Sequence, residues 1–346
     1  MEYINDINIL DAVIHVLDNN SDEPILNEYK LDLGDEVYKF LYRHLEKSFK
    51  DEELKYAIFN IERNIVKELS QEYLNGVNTD LVEVSKEIAR QLFSIMKDNG
   101  NIPSCDLIVT TLSTDQGPLL ALLKLDYVNT FTHKIDFIED KIGINLIRQF
   151  GGLPQTSARI SKAAFIKPIR ENQDFNLMVI DKQRKNRTEE EYGVNYFINN
   201  FLGCTLIKNE RDMTKTFMNK SETWIRNNVV QDADRAEQIR NVIKNKLKEE
   251  ESINIPELSE KIFKEEPEAK KSFDDYITSQ GLGEEIQVDK QYVEKKLKRT
   301  RLKIDKDIDL YIDEESYNDK SKFEIVRNGD GSINLVIKHV MNYIEK

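Results

Sequence analysis

Near residue 100 the spacing of apolar residues changes its period, and this change limits the possible folds more than any other feature of the chain. Upstream, "TDLVEVSKEIARQLFSIMKDNG" sets Leu81, Val84, Ile88, Leu92, Ile95 and Met96 at intervals of three and four. That is the apolar stripe of a helix lying on a core, with Thr79 as expected N-cap and a stop near Gly100. Downstream, "CDLIVTTLS" and "LLALLKLDYV" are short apolar runs joined by "TDQG", which predicts a β-hairpin. A sheet needs a cover for its apolar face, and amphipathic helices supply one. The expected class is therefore α+β, an antiparallel sheet carrying helices on one face.

The flanking segments extend this reading. "INDINILDAVIHVLDNN" predicts a first strand. "GDEVYKFLYRHLEKSF" predicts a helix with Val37, Phe40, Leu41, Leu45 and Phe49 on one stripe, and "ELKYAIFNIERNIVKELSQEYLNG" a second helix ending at Gly76. "TFTHKIDFIED" is expected to continue the strand meander, with Phe131, His133, Ile135 and Phe137 on one face; "KAAFIKPI" and "FNLMVID" follow as strands. From about residue 190 helical patterns return, and the chain closes on strands, including a hairpin around "NGDG". A boundary near Gly203 divides this pattern. It gives an N-terminal α+β domain over 1–203 and a C-terminal helical domain with a small antiparallel sheet over 204–346, as expected for 346 residues.

The charge is uneven. Lys and Arg number 50 against 63 Asp and Glu, a net −13, which argues against a surface that coats nucleic acid all over. Yet "KQYVEKKLKRTRLKIDK", residues 290–306, holds eight Lys or Arg and only Glu294 and Asp305 as carboxylates. Written as a strand, "LKRTRLKID" puts Arg299, Arg301 and Lys303 on one side and Thr300, Leu302 and Ile304 on the other. Such a ridge suits phosphate contacts, with Lys295, Lys296 and Lys298 beside it. The plainer alternative is a solvated face balanced by the acidic "DKDIDLYIDEES" that follows. Further basic groups occur at Lys182, Arg184, Lys185 and Arg187, and at Arg240, Lys244, Lys246 and Lys248.

Other chemistry finds little support. The four histidines are scattered, and no metal-binding spacing of Cys, His or carboxylates occurs, so neither a metal site nor a cofactor is expected. Cys105 and Cys204 read as reduced structural thiols, which points to a cytoplasmic location, as does the absence of a leader pattern or membrane span. "GLGEE" at Gly281 reads as a turn rather than a phosphate loop. Asp126, Glu139 and Lys141 have the residue types of a Mg²⁺-dependent nuclease, which makes an enzyme the second reading; such a trio also arises readily in a chain that is 33% charged. Trp224 is expected in a core.

The blocks "NILDAVIHVLD", "FSIMKDNGNIPSCDLIVTTL", "KLDYVNTFTHKID", "LPQTSARISKAAFIKP", "NYFINNFLGC" and "FDDYITSQGL" resemble bacterial nucleoid-associated proteins of the NdpA/YejK type in order and spacing along nearly the whole chain. The resemblance implies a place in the bacterial nucleoid and DNA as partner, directly or through another nucleoid protein. It brings no catalytic residue and no cofactor. A third reading is an interaction module recruited by a protein partner through the helices near Trp224. Self-association into a homo-oligomer is left open.

Overall fold

A computed structural model describes residues 2–138, 141–182, 195–304, 307–342 and 344. The chain is mixed α+β and divides into two compact units, Glu2–Ile207 and Lys208–Lys346.

In the first unit the elements are β1 (Ile7–Leu17), α1 (Asp35–Phe49), β2 (Lys55–Phe59), α2 (Ile65–Leu74), α3 (Leu81–Asp98), β3 (Cys105–Thr114), β4 (Gly117–Asp126), β5 (Val128–Ile138), β6 (Lys141–Gly152), β7 (Lys162–Ile166) and β8 (Leu177–Asp181). A single π-helical turn, Phe197–Leu202, and β9 (Cys204–Ile207) complete it. Seven strands form one antiparallel sheet in the order β1-β3-β4-β7-β8-β2-β9. The expected hairpin is present, with Thr114 opposite Gly117 across the turn.

Helix α3 buries all six residues of its predicted stripe against Leu107, Val109, Leu120 and Leu122, together with α2 and the π-helical turn. Helix α1 lies on the other side of the sheet, where Phe49 meets Phe165 with ring centroids 4.1 Å apart. The sheet is thus covered on both faces rather than one, which is why β3 and β4 read as almost continuous apolar runs.

Three local expectations are corrected. Asp80, not Thr79, caps α3: its carboxylate accepts from the backbone N–H groups of Val82 and Glu83, satisfying two otherwise orphaned donors. The segment expected as one helix from Glu53 to Gly76 splits into β2 and α2. Residues 55–59 pair with both β8 and β9, and the Asn64 side chain then caps a new helix by accepting from Lys67 N–H. Strand β5 does not continue the meander. It pairs with β6 in a separate two-stranded ribbon, while β4 takes β7 as its neighbour.

The second unit comprises α4 (Glu210–Asn228), α5 (Ala233–Glu249), β10 (Ser252–Asn254), α6 (Ile255–Ile262), α7 (Pro267–Ser279), β11 (Glu285–Gln287), α8 (Lys290–Leu297), β12 (Arg299–Ile304), β13 (Ile308–Asp313), α9 (Glu314–Asn318), β14 (Phe323–Arg327) and β15 (Ile333–Ile337). Its strands form three antiparallel pairs, β10-β11, β12-β13 and β14-β15. Trp224 is 4% exposed and sits edge-on to Phe263 and Phe273 at 5.2 and 5.3 Å, the aromatic centre of the helical core. Among the described residues, no helix is long and apolar enough to cross a membrane.

His15 on β1 gives the first unit a pH dependence. Its ring is buried, with Nε2 2.8 Å from Ser85 Oγ, while Nδ1 accepts from Asn27 N–H at 3.1 Å. Because Ser85 Oγ donates to Val82 O, the hydroxyl is free to accept from Nε2–H, so the neutral tautomer fits. Burial first, then the charges of Lys86 and Arg90, lower the imidazole pKa from 6.5 to about 4. Below pH 6.5 the unfolded chain takes a proton that the folded one declines, so His15's contribution is complete above that pH and is lost as pH falls toward 4. Thermal unfolding followed between those limits is expected to show a falling midpoint, and His15→Gln to flatten the dependence.

Candidate nucleic-acid interface

The basic stretch spans a helix and a strand. Asp289 caps α8 by accepting from Tyr292 N–H at 3.0 Å, and Tyr292, Val293 and Leu297 fix the helix to the core. Lys295 and Lys296 are then exposed on its last turn, with Lys296 Nζ 5.5 Å from the Tyr292 ring centroid. Lys298 ends the helix, and the chain enters β12.

Along β12 burial alternates as the sequence predicts. Arg299, Arg301 and Lys303 are exposed, while Thr300, Leu302 and Ile304 are half-buried. Register with β13 sets Arg299 opposite Asp313, Arg301 opposite Tyr311 and Lys303 opposite Asp309. Directly opposed residues share a face, so three cations, two carboxylates and one aromatic ring lie together on it. Arg299 Nε donates to Asp313 at 2.8 Å; Arg301 donates to Asp309 at 3.2 and 3.1 Å and stacks 5.2 Å above Tyr311. The arginine side chains remain 74% and 58% exposed, so each pair contributes at most about 1 kcal/mol and can yield to a stronger anion. Periodicity found the cations; the carboxylates facing them depend on strand register, which a list of charges along the chain does not give.

The other basic groups are held elsewhere. Arg240 is paired with Glu222, Lys246 with Glu250 and Lys248 with Glu314. Lys244 packs 5.4 Å from the Tyr317 ring centroid; burial, then the nearby Arg240 and Lys248, push its pKa down. Lys182 is paired with Asp51, whereas Arg184, Lys185, Arg187 and Lys306 lie outside the described residues. Among these three groups, as far as their residues are described, the one on β12 has its cations exposed on one side of a single strand.

The nuclease trio is not assembled. Asp126 ends β4, where it pairs with the buried Lys124 and accepts from Ser161 Oγ at 3.0 Å. Lys141 begins β6 beyond the far end of β5, 11 residues of extended chain away. At about 3.3 Å per residue that is roughly 35 Å, too far for one metal site. Glu139 lies outside the described residues. Among the described residues no three His, Cys, Asp or Glu side chains are grouped so as to hold a metal ion. Both cysteines are buried and free, and burial pushes each thiol up to about 12, which keeps them protonated and poor nucleophiles.

A family model described as nucleoid-associated protein YejK matches residues 13–345. No curated protein matches the chain.

Proposed function

The chain belongs to the nucleoid-associated protein YejK family, and from that premise we propose that it associates with bacterial DNA through the β12 face of its second unit. The observation that carries this reading is the set of Arg299, Arg301 and Lys303 on one exposed side of a strand, with Lys295, Lys296 and Lys298 adjoining. These groups meet phosphate oxygens rather than base edges, so the contact is electrostatic and has little sequence preference. A net charge of −13 opposes a duplex over the surface as a whole, which favours contact through a local basic face. The proposed place of action is the nucleoid, within the cytoplasm, and no catalytic step is involved.

Asp313 and Asp309 hold Arg299 and Arg301 in the free protein and so compete with phosphate for them. Asp309→Asn with Asp313→Asn is expected to tighten binding to a duplex about tenfold, because two exposed pairs of up to about 1 kcal/mol each no longer compete. Fluorescence anisotropy on a labelled duplex reads this directly. Unchanged or weaker binding by a folded double variant would remove β12 as the contact.

A further inference from the structure

Helix α5 carries a row of cations that a later part of the same unit covers. Arg240, Lys244 and Lys248 fall four residues apart, so they line one side of the helix at steps of about 6 Å. Arg240 shares Glu222 with Arg226, two guanidinium groups on one carboxylate. Lys248 is paired with Glu314, the first residue of α9. Lys244 is half-buried between them and has no carboxylate partner among the described residues; its Nζ lies 5.4 Å from the Tyr317 ring centroid instead. Burial, then Arg240 and Lys248, push its pKa down, the mark of an ammonium short of an anion. The cover itself is held lightly. The apolar core around Trp224 draws its buried residues from Phe217 through Leu297, whereas none of the five side chains of α9 is buried. A partly exposed ion pair such as Lys248–Glu314 holds little.

We propose that the α5 row is a second contact for the phosphodiester backbone of DNA, closed in the free protein by α9 acting as a strap. Spacing favours a polymer: steps of about 6 Å give each cation a phosphate of its own, whereas a single phosphate ion meets one of them. Position favours DNA over an acidic polypeptide. Glu314 pairs with Lys248 through its side chain and donates its N–H to Lys298 O at 3.0 Å, so the row adjoins the basic end of α8 and the start of β12. Phosphate at Lys244 and Lys248 replaces the Glu314 carboxylate and gives Lys244 the anion it lacks. Tyr317 then swings out with the strap, which stays tethered at its far end by Phe323, 4% exposed. This inference shares with the β12 reading the premise that DNA is the partner, but none of its residues.

Fluorescence anisotropy of the full chain on a labelled duplex tests this. Glu314→Gln with Tyr317→Ala releases the strap and is expected to tighten binding about tenfold at about 100 mM salt. The log–log salt slope is expected to steepen by about 1.8, for two further phosphates at roughly 0.9 of a counterion each. Adding Lys244→Gln and Lys248→Gln is expected to return both to wild-type values. No gain on release, or a gain that survives loss of the two lysines, overturns the proposal, as does polyglutamate that outcompetes the duplex at equal charge. The strap variant on an Arg299→Gln, Arg301→Gln, Lys303→Gln background separates the two contacts. A gain kept there supports the α5 row whatever β12 does, and a gain lost there overturns it. Should the strap variant fail to fold, hydrogen exchange of the wild type carries the test: amides of residues 314–322 are expected to lose protection on adding duplex, and unchanged protection refutes the strap.

Discussion

Reversing the three cations of β12 (Arg299→Glu, Arg301→Glu and Lys303→Glu) is expected to weaken duplex binding by about a hundredfold or more at about 100 mM salt, because each phosphate contact releases roughly 0.9 of a counterion. Losing three contacts also lowers the magnitude of the log–log salt slope by about 2.7. The fold is expected to survive. The two arginine pairs are exposed and worth little, and Thr300, Leu302 and Ile304 still face inward. New glutamates facing Asp309 and Asp313 cost some pairing energy, so the neutral Arg299→Gln, Arg301→Gln, Lys303→Gln variant serves as the milder partner. The neutral variant is expected to fall between wild type and the reversed one. Equal losses in both, with unfolding, would point to damage of the β12-β13 pair instead.

The second large effect concerns stability. Lys124 is 1% exposed on β4, an interior strand of the sheet, where it pairs with Asp126 and donates to Pro103 O at 3.4 Å. Its cross-strand neighbour Lys162 is paired with Asp181, so the sheet holds two adjacent lysines, each matched by a carboxylate. Asp126→Asn keeps the volume but strands the Lys124 ammonium, and is expected to destabilise the first unit by about 3–5 kcal/mol. Adding Lys124→Met removes the stranded charge and is expected to recover most of that loss. Trp224 belongs to the second unit, so its fluorescence does not report the change; hydrogen exchange at β3 and β4 amides does. A catalytic Asp126 would behave differently, since its removal would spare stability.

These two outcomes separate what local sequence can reveal from what it cannot. The stripe of α3 and the β3-β4 hairpin were legible because each depends on the residues within it and on period alone. Strand β2 was hidden: Lys55–Phe59 carries apolar groups compatible with a helix, and only its pairing with β8 and β9 decides otherwise. The same holds for β5. Its alternation predicts a strand, but its partner is set by a non-local choice between the sheet and its own hairpin, and β6 was missed altogether. At the candidate site, alternation placed Arg299, Arg301 and Lys303 together, and the acidic segment after them was the balance that the plainer reading expected; register with β13 decides which of its carboxylates, Asp309 and Asp313, face them. Lys124 shows the limit from the other side, since a lysine within an apolar run gives no sign of whether it is paired and buried or turned to water.

The central claim, a local electrostatic contact with DNA, is tested most directly by the salt dependence of duplex binding for nucleic-acid-free full-length protein. Engagement of five or six phosphates predicts that log affinity falls with log salt at a slope of roughly −5 between about 50 and 200 mM, with the DNA left intact whether or not Mg²⁺ is present. No binding at the lower salt, a slope near zero, or Mg²⁺-dependent cutting would contradict it.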